Sequence, residues 1–419
     1  MKKRILFTTI FLLVSQLAHA RIEILIDAAA DKKFPIAVPS FLTSKGGSAG
    51  GLGKKMMLLM QKDLRLTGIF DVMTDAQLPQ DDRDVTQINF DKWRSLEIGA
   101  LIKGIVEKDG GNTVVQLRLY DVAAGKMILG KQYTVTGKNY IDAVHRYVDS
   151  LMATTTGFRG PFESRIAASC GKPFKRQIYT FEMDGERMGR FTSGGLNNIS
   201  PSWSPDGSRI AYTSFQTKFP EVFISGGGAG RQVTSFKSTT ITPAWTPDGG
   251  SLVLASAKSG DTELYQVSLS GRVIRQITHS ANIDLAPSFS PDGNMVFSSE
   301  RSGGLHLFSL NGERLTYVGY QNDQADWSPD GSKIVFSSRD RGAFDVFVMD
   351  ADGSNILRLT RDEGNNESPT WAPDSRYVVF SSSRGGLYVM LEDGTNQTLI
   401  PKSAACINSE WGPWLSKSE

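Results

Sequence analysis

The sequence predicts an α+β N-terminal domain, a mixed sheet with helices, followed by an all-β six-bladed β-propeller. Three observations support this. An aromatic ahead of a Ser/Thr-Pro-Asp-Gly-like turn recurs six times, a second aromatic-Gly-Thr signature runs in phase with it, and the first third of the chain has a different periodicity.

The recurring aromatics are Trp203, Trp245, Phe289, Trp327, Trp371 and Trp411, spaced 42, 44, 38, 44 and 40 residues apart. The turn reads Ser204-Pro205-Asp206-Gly207 in the first copy. It becomes Ala372-Pro373-Asp374-Ser375 in the fifth and is cut to Gly412-Pro413 in the last. Repeats of this length that hold several short strands mark a propeller, one copy to a blade. The second signature appears as Tyr179/Gly185/Phe191-Thr192, Phe223/Gly228/Val233-Thr234, Tyr265/Gly271/Ile277-Thr278 and Phe347/Gly353/Leu359-Thr360. Alternating runs such as 209–213 and 333–337 lie between the two signatures, so each unit reads as four short strands joined by tight turns.

The ends of the repeat are incomplete in complementary ways. Residues 165–192 resemble the last three strands of a unit, and residues 406–415 resemble the missing first strand. One blade is therefore expected to be shared by the two ends, which closes the ring and removes an open sheet edge. In that blade Cys406 takes the slot of Asn198 and Cys170 the slot of Ser214, two positions equidistant from Asp206 in the first unit. Residues so placed in an antiparallel hairpin face each other at a separation suited to a disulfide. A Cys170–Cys406 bond is expected, worth about 4–5 kcal/mol in the chain-entropy picture. The alternative is two independent buried thiols.

Before the repeats, residues 52–66 and 140–152 place apolar residues at helical spacing, with Gly157 as the stop of the second helix. Residues 100–107, 113–120 and 126–135 alternate as strands, with glycines in the intervening turns. Residues 21–27 also alternate. The expected division is a signal peptide over 1–20, the N-terminal domain over 21–160 and the propeller over 161–419. Met1-Lys2-Lys3-Arg4, an apolar run over 5–17 and Ala18-His19-Ala20 carry the first of these boundaries. Without Lys2, Lys3 and Arg4 the formal charge of +2 becomes −1. A near-neutral chain with no basic cluster argues against nucleic acid as a partner.

No catalytic, cofactor or metal constellation stands out. Gly46-Gly47-Ser48-Ala49-Gly50 matches the nucleophile elbow as a string, but the residues ahead of the propeller are too few for a hydrolase sheet. The adjoining Gly53-Lys54 fails the phosphate-loop pattern because Lys55 stands where Ser or Thr is needed. His145, His279 and His306 form no spaced ligand cluster with the two cysteines, and His145 reads as a packed helix residue. Asp350, Asp352 and Asn355 lack the later glutamate of a calcium loop. Asp206, Asp248, Asp292, Asp330 and Asp374 read as turn formers that accept backbone N–H groups. The segments entering the inner strands are polar and are expected to cluster around one mouth of the channel as a surface for a protein or peptide. These are Asn197 and Asn198, Thr239 and Thr240, Asn282 and Asp284, Asn322, Asp323 and Gln324, and Asn366 and Glu367. The alternative is ordinary solvated loops.

An apparent signal peptide, a small α/β domain and six such blades together resemble the TolB family of the Tol-Pal system, over essentially the whole chain. Local matches include residues 90–93 with 96–100, the strand 115–121 and Ser164-Arg165-Ile166-Ala167. The resemblance implies a non-enzymatic periplasmic adaptor that supports outer-membrane integrity and constriction at division. It would bind the peptidoglycan-associated lipoprotein Pal at the propeller, with other outer-membrane proteins as candidates for further contacts. The inner-membrane protein TolA would be bound by the segment Arg21, Ile22, Glu23, Ile24, Leu25, Ile26 and Asp27. The alternation of that segment suits strand addition to a partner sheet, and equally an edge strand of its own domain. The rival to this reading is an exported propeller hydrolase or a lectin-like ligand-binding module.

Overall fold

The computed structural model describes residues 33–73, 88–137, 139–194, 196–361 and 364–415. In the N-terminal region a five-stranded sheet has the order β2-β1-β3-β4-β5. It is formed by β1 (Phe34–Ala37), β2 (Phe70–Val72), β3 (Ala100–Asp109), β4 (Asn112–Asp121) and β5 (Lys126–Val135). β1 pairs in parallel with β2 and β3, while β3, β4 and β5 form an antiparallel meander. Helices α1 (Gly50–Leu66), α2 (Phe90–Arg94) and α3 (Tyr140–Thr156) complete the region.

α1 buries Met56, Met57, Leu59, Met60 and Leu64, and α3 buries Ile141, Val144, Val148 and Leu151, as their helical spacing requires. α3 runs one turn past the expected 152 and stops at Gly157, whose φ of 81° is the left-handed cap that glycine tolerates. β1, β2 and α2 went unread in the sequence. Each is only three to five residues long, too short for periodicity to show.

The described residues from Ser164 onward form six blades. The inner strands of blades 1 to 5 are Asn198–Trp203, Thr240–Trp245, Asp284–Phe289, Gln321–Trp327 and Asn366–Trp371. Blade 6 has the order terminal strand Cys406–Trp414, then β6 (Ser164–Cys170), β7 (Gln177–Phe181) and β8 (Gly189–Arg190). Trp411 pairs with Ile166, so the two ends of the propeller share one sheet and the ring closes. Cys406 lies opposite Cys170 and the two are joined, S–S 1.98 Å, across a separation of 236 residues. Among the described residues there are no free cysteines.

The ring and the N-terminal region share a continuous hydrophobic core. Met56, Tyr147 and Phe162 belong to the same buried cluster as Ile166, Tyr377, Leu387, Ile400 and Trp411. Polar contacts fix the seam. The Tyr377 hydroxyl donates to Thr67 O at 2.9 Å, Asn396 Nδ2 to Leu66 O at 3.2 Å and Trp414 Nε1 to Gly160 O at 3.1 Å. Among the described residues no helix is long and apolar enough to cross a membrane.

A candidate protein-binding channel

Every inner strand breaks register two to four residues before its aromatic, the terminal strand of blade 6 a second time after Trp411, and at each of the six equivalent breaks a non-glycine residue takes a left-handed conformation. These residues are Ser200, Thr242, Ala286, Gln324, Ser368 and Asn408, with φ between 47° and 55°. A bulge bends the strand and re-aims the side chains that follow. The bulges surround an axial cavity of about 630 Å³, lined among others by Ser202, Ala244, Ser288, Asp326 and Glu410, each the residue before the blade aromatic. Nothing in the turn motif signals this repeated backbone feature, because five residue types fill the six positions.

The channel is lopsided in charge. Four of the six residues before the aromatic are uncharged, and the acids Asp326 and Glu410 belong to blades 4 and 6. Three residues earlier the pattern repeats, with Ile199, Ile241, Leu285 and Ile407 set against Asp323 and Glu367 in blades 4 and 5. Four carboxyls thus fall on three consecutive blades. Asp326 is held from three sides. Thr370 Oγ1 and Trp371 N each donate to its Oδ2 at 2.9 Å, and Ser288 Oγ donates to Oδ1 at 3.2 Å. Burial nevertheless pushes its carboxyl up, and burial together with the neighbouring Asp326 pushes Glu410 well above the carboxylate range. Burial also raises Asp323, against the Ser298 hydroxyl that donates to it at 2.8 Å, and raises Glu367 against the pull of Arg339. Asp326 and Glu410, the two of these that line the cavity, favour a cationic group in it.

The polar entries expected at the mouth divide into three sets. Asn198, Thr240, Asp284, Asn322 and Asn366 are fully enclosed rather than presented to a partner. They tie strands together, Asn198 and Asn322 between blades and Thr240 and Asp284 within one. Asn198 Nδ2 donates to Gln177 Oε1 at 3.0 Å, Thr240 bonds Ser256 at 3.1 Å, Arg301 pairs with Asp284 at 2.8 Å, and Asn322 Nδ2 meets His306 Nδ1 at 3.1 Å. These five residues and Cys406 all pair with the end of the next strand, and the disulfide is blade 6's version of that contact. The expectation missed this because alternation puts only every second residue on the channel side. Asp323, Gln324 and Glu367 are half-buried on the inner strands, and Gln324 Oε1 accepts from Ser368 N at 2.9 Å. Thr239 and Asn282 are exposed, and Asn197 is half-buried, accepting from Arg176 N at 3.2 Å. Residues 21–27 lie outside the described residues.

The end of the ring where the inner strands begin also exposes large apolar side chains. Phe174, Leu196, Phe215, Ile283, Tyr317 and Tyr320 stand on the entry segments and on the loops beside them. A set of this kind around an opening marks a surface that meets another macromolecule.

A model of the TolB amino-terminal domain matches residues 22–128, and one of the TolB beta propeller domain matches residues 152–415. The chain belongs to the TolB family. The "Tol-Pal system protein TolB" of Desulfosudis oleivorans is 35% identical over 59% of this chain and 58% of the relative. That of Bordetella parapertussis is 31% identical over 71% of this chain and 67% of the relative. The matched stretch thus spans little more than half the length of the first of these relatives. The crystal structure of TolB from Acinetobacter baumannii superposes with a TM-score of 0.81 at 27% identity, covering 91% of this chain and 97% of that one. The TolB-type order, a small mixed sheet followed by a closed six-bladed ring, accounts for both family matches in one chain.

Proposed function

We propose that this TolB-family chain is a periplasmic, non-enzymatic component of the Tol-Pal system. It works as an adaptor, with its propeller engaging the lipoprotein Pal and residues 21–27 engaging TolA, in support of outer-membrane integrity and constriction at division. The reading rests on one observation above others: a TolB-type architecture spanning nearly the whole chain, whose ring carries an open channel with carboxyls on one side and exposed apolar groups at one end. Rigid rings present such surfaces to protein partners, and aromatic anchors around a polar centre suit that use.

Two partners at separate places make separable losses the decisive result. With immobilised Pal and TolA periplasmic domains, the mature chain is expected to bind both. Removing residues 21–31 is expected to abolish TolA capture while sparing Pal. Replacing Tyr317 and Tyr320 with serine is expected to weaken Pal capture about tenfold or more, as loss of aromatic anchors does, while sparing TolA. Equal loss of both partners in either variant, or turnover of esters or peptides by the purified chain, would sink the reading.

A further inference from the structure

At the seam between the N-terminal region and blade 6, three residues distant in sequence meet in a closed space. Asp63 comes from α1, His145 from α3, and Asp184 from the turn after β7, with 0%, 2% and 0% of their surfaces exposed. His145 Nε2 lies 3.5 Å from Asp63 Oδ2 and 3.4 Å from Asp184 Oδ2, and all three potential ligand atoms fall within 4.8 Å of one another. Both carboxylate oxygens of Asp63, the Nε2 of His145 and Oδ2 of Asp184 are buried without a hydrogen-bond partner. Polar atoms in that state cost free energy unless something fills the space between them.

We propose that Asp63, His145 and Asp184 form a divalent-cation site of the zinc class that joins the N-terminal region to the closing blade. Zinc bonds to imidazole and carboxylate of about 2.1 Å, in a tetrahedron, set neighbouring ligand atoms about 3.4 Å apart. The two separations from His145 Nε2 match that edge. The surroundings are those of a metal-bound histidine. Glu182 Oε2 sits 3.7 Å from Nδ1, on the far side of the ring; it is buried, has no hydrogen-bond partner of its own, and needs only a small approach to become the outer carboxylate of a metal-bound histidine. Glu182 is in turn anchored by Arg187 at 3.1 Å. Asp184 is aimed as well, because its Oδ1 accepts from Glu186 N at 2.9 Å, leaving Oδ2 directed at the histidine. Phe162 closes one wall, its ring centroid 5.6 Å from that of His145. The partly exposed Lys62 ammonium pairs with Asp184 Oδ2 at 3.7 Å, and a bound cation would take its place there. The three ligands come from segments about forty to eighty residues apart, which is why no spacing motif revealed them.

The test uses the full mature chain after chelation and desalting, titrated with Zn²⁺ alone by calorimetry and with Co²⁺ alone by visible absorption. One equivalent of Zn²⁺ per chain is expected, together with a higher Tm and the intense d–d bands of four-coordinate Co²⁺. His145→Gln and Asp63→Asn are each expected to weaken uptake at least a hundredfold. Glu182→Gln is expected to weaken it about tenfold, as loss of an outer-shell partner does. The channel variant Asp326→Asn is expected to take up the same equivalent. Absence of saturable uptake, the pale spectrum of six-coordinate Co²⁺, or uptake that falls with Asp326→Asn and survives His145→Gln would overturn the assignment. Should His145→Gln fail to fold, the Co²⁺ spectrum of the unaltered chain together with Glu182→Gln still decides it.

Discussion

The turns after Trp203 and Trp371 fill the same slot of blades 1 and 5, yet their aspartates titrate in opposite directions. Asp206 is exposed. The Ser204 hydroxyl donates to it at 2.5 Å and Ser208 N at 3.0 Å, and these bonds, the Ser204 hydroxyl first, hold its carboxyl down at about 2. Asp374 sits against the N-terminal region in a cavity lined by Ile69, Met152, Phe158, Arg376 and Tyr377. Burial pushes it up to about 7 despite N–H groups donated by Arg376 and Tyr377, and its Oδ2 has no partner. Ala372 stands where Ser204 would supply a hydroxyl. The difference teaches that docking of the N-terminal region converted one repeat's turn from a self-capped hairpin into part of an interface.

The largest effect expected from that difference is at the sixth position after the aromatic, Tyr377 in blade 5 and Arg209 in blade 1. Tyr377 is 1% exposed and bonds Thr67 O across the seam. Tyr377→Ala should cost about 3–5 kcal/mol in urea denaturation, the range for truncating a large buried ring. Arg209 is only partly covered and lies 4.8 Å over the Trp245 ring, so Arg209→Ala should cost under about 1 kcal/mol. Equal losses would break the comparison.

The next effect is a matter of sign. A carboxyl raised by folding contributes most below its unfolded value and loses that contribution as pH rises through its folded value. For Asp374 the window runs from about 4 to about 7. Asp374→Asn should therefore stabilise the chain by about 1–3 kcal/mol above pH 7 and flatten the decline between pH 4 and 7. Asp206 behaves in the reverse way. Its contribution is present above about pH 4 and is lost as pH falls through about 2, so Asp206→Asn should lower Tm slightly at neutral pH and converge with the parent in acid. Denaturation curves at about pH 2, 5 and 8 measure both, and a stabilising Asp206→Asn would remove the contrast.

These contrasts mark where sequence reading works and where it stops. The blades, their number and their shared closing strand follow from local signals, because each repeat forms its own hairpins and the same aromatic returns in phase. Cys170 and Cys406 could be placed opposite each other because register within a hairpin is set by counting from the turn. Counting gave the wrong role for Asn198, Thr240, Asp284, Asn322 and Asn366, since their enclosure depends on neighbouring strands and loops and not on their own polarity. The channel bulges and the Asp63–His145–Asp184 cluster were out of reach for a related reason. The first uses five residue types for one backbone conformation, and the second exists only once the N-terminal region is seated on the ring.

The smallest effects test the second residue after the proline in the same two turns as a matched pair. Gly207 adopts φ 68° and Ser375 φ 58°, so both positions need a left-handed backbone that a Cβ makes costly, by about 1–2 kcal/mol. Gly207→Ala should lose about 1 kcal/mol, the added Cβ also falling 3.2 Å from Pro413 Cγ. Ser375→Gly should gain less, because two terms oppose the relief of strain. Glycine frees the unfolded chain by about 0.4–1 kcal/mol, and the Ser375 hydroxyl that accepts from Asp330 N at 3.1 Å is lost. Asp330 N is near solvent, so water replaces that bond at little cost. The net expectation is a rise in Tm of no more than about 2 °C. A fall in Tm would instead mean that the link from Ser375 to blade 4 outweighs the strain, and that the irregular turn of blade 5 is a fastening between blades as well as a seat for the N-terminal region.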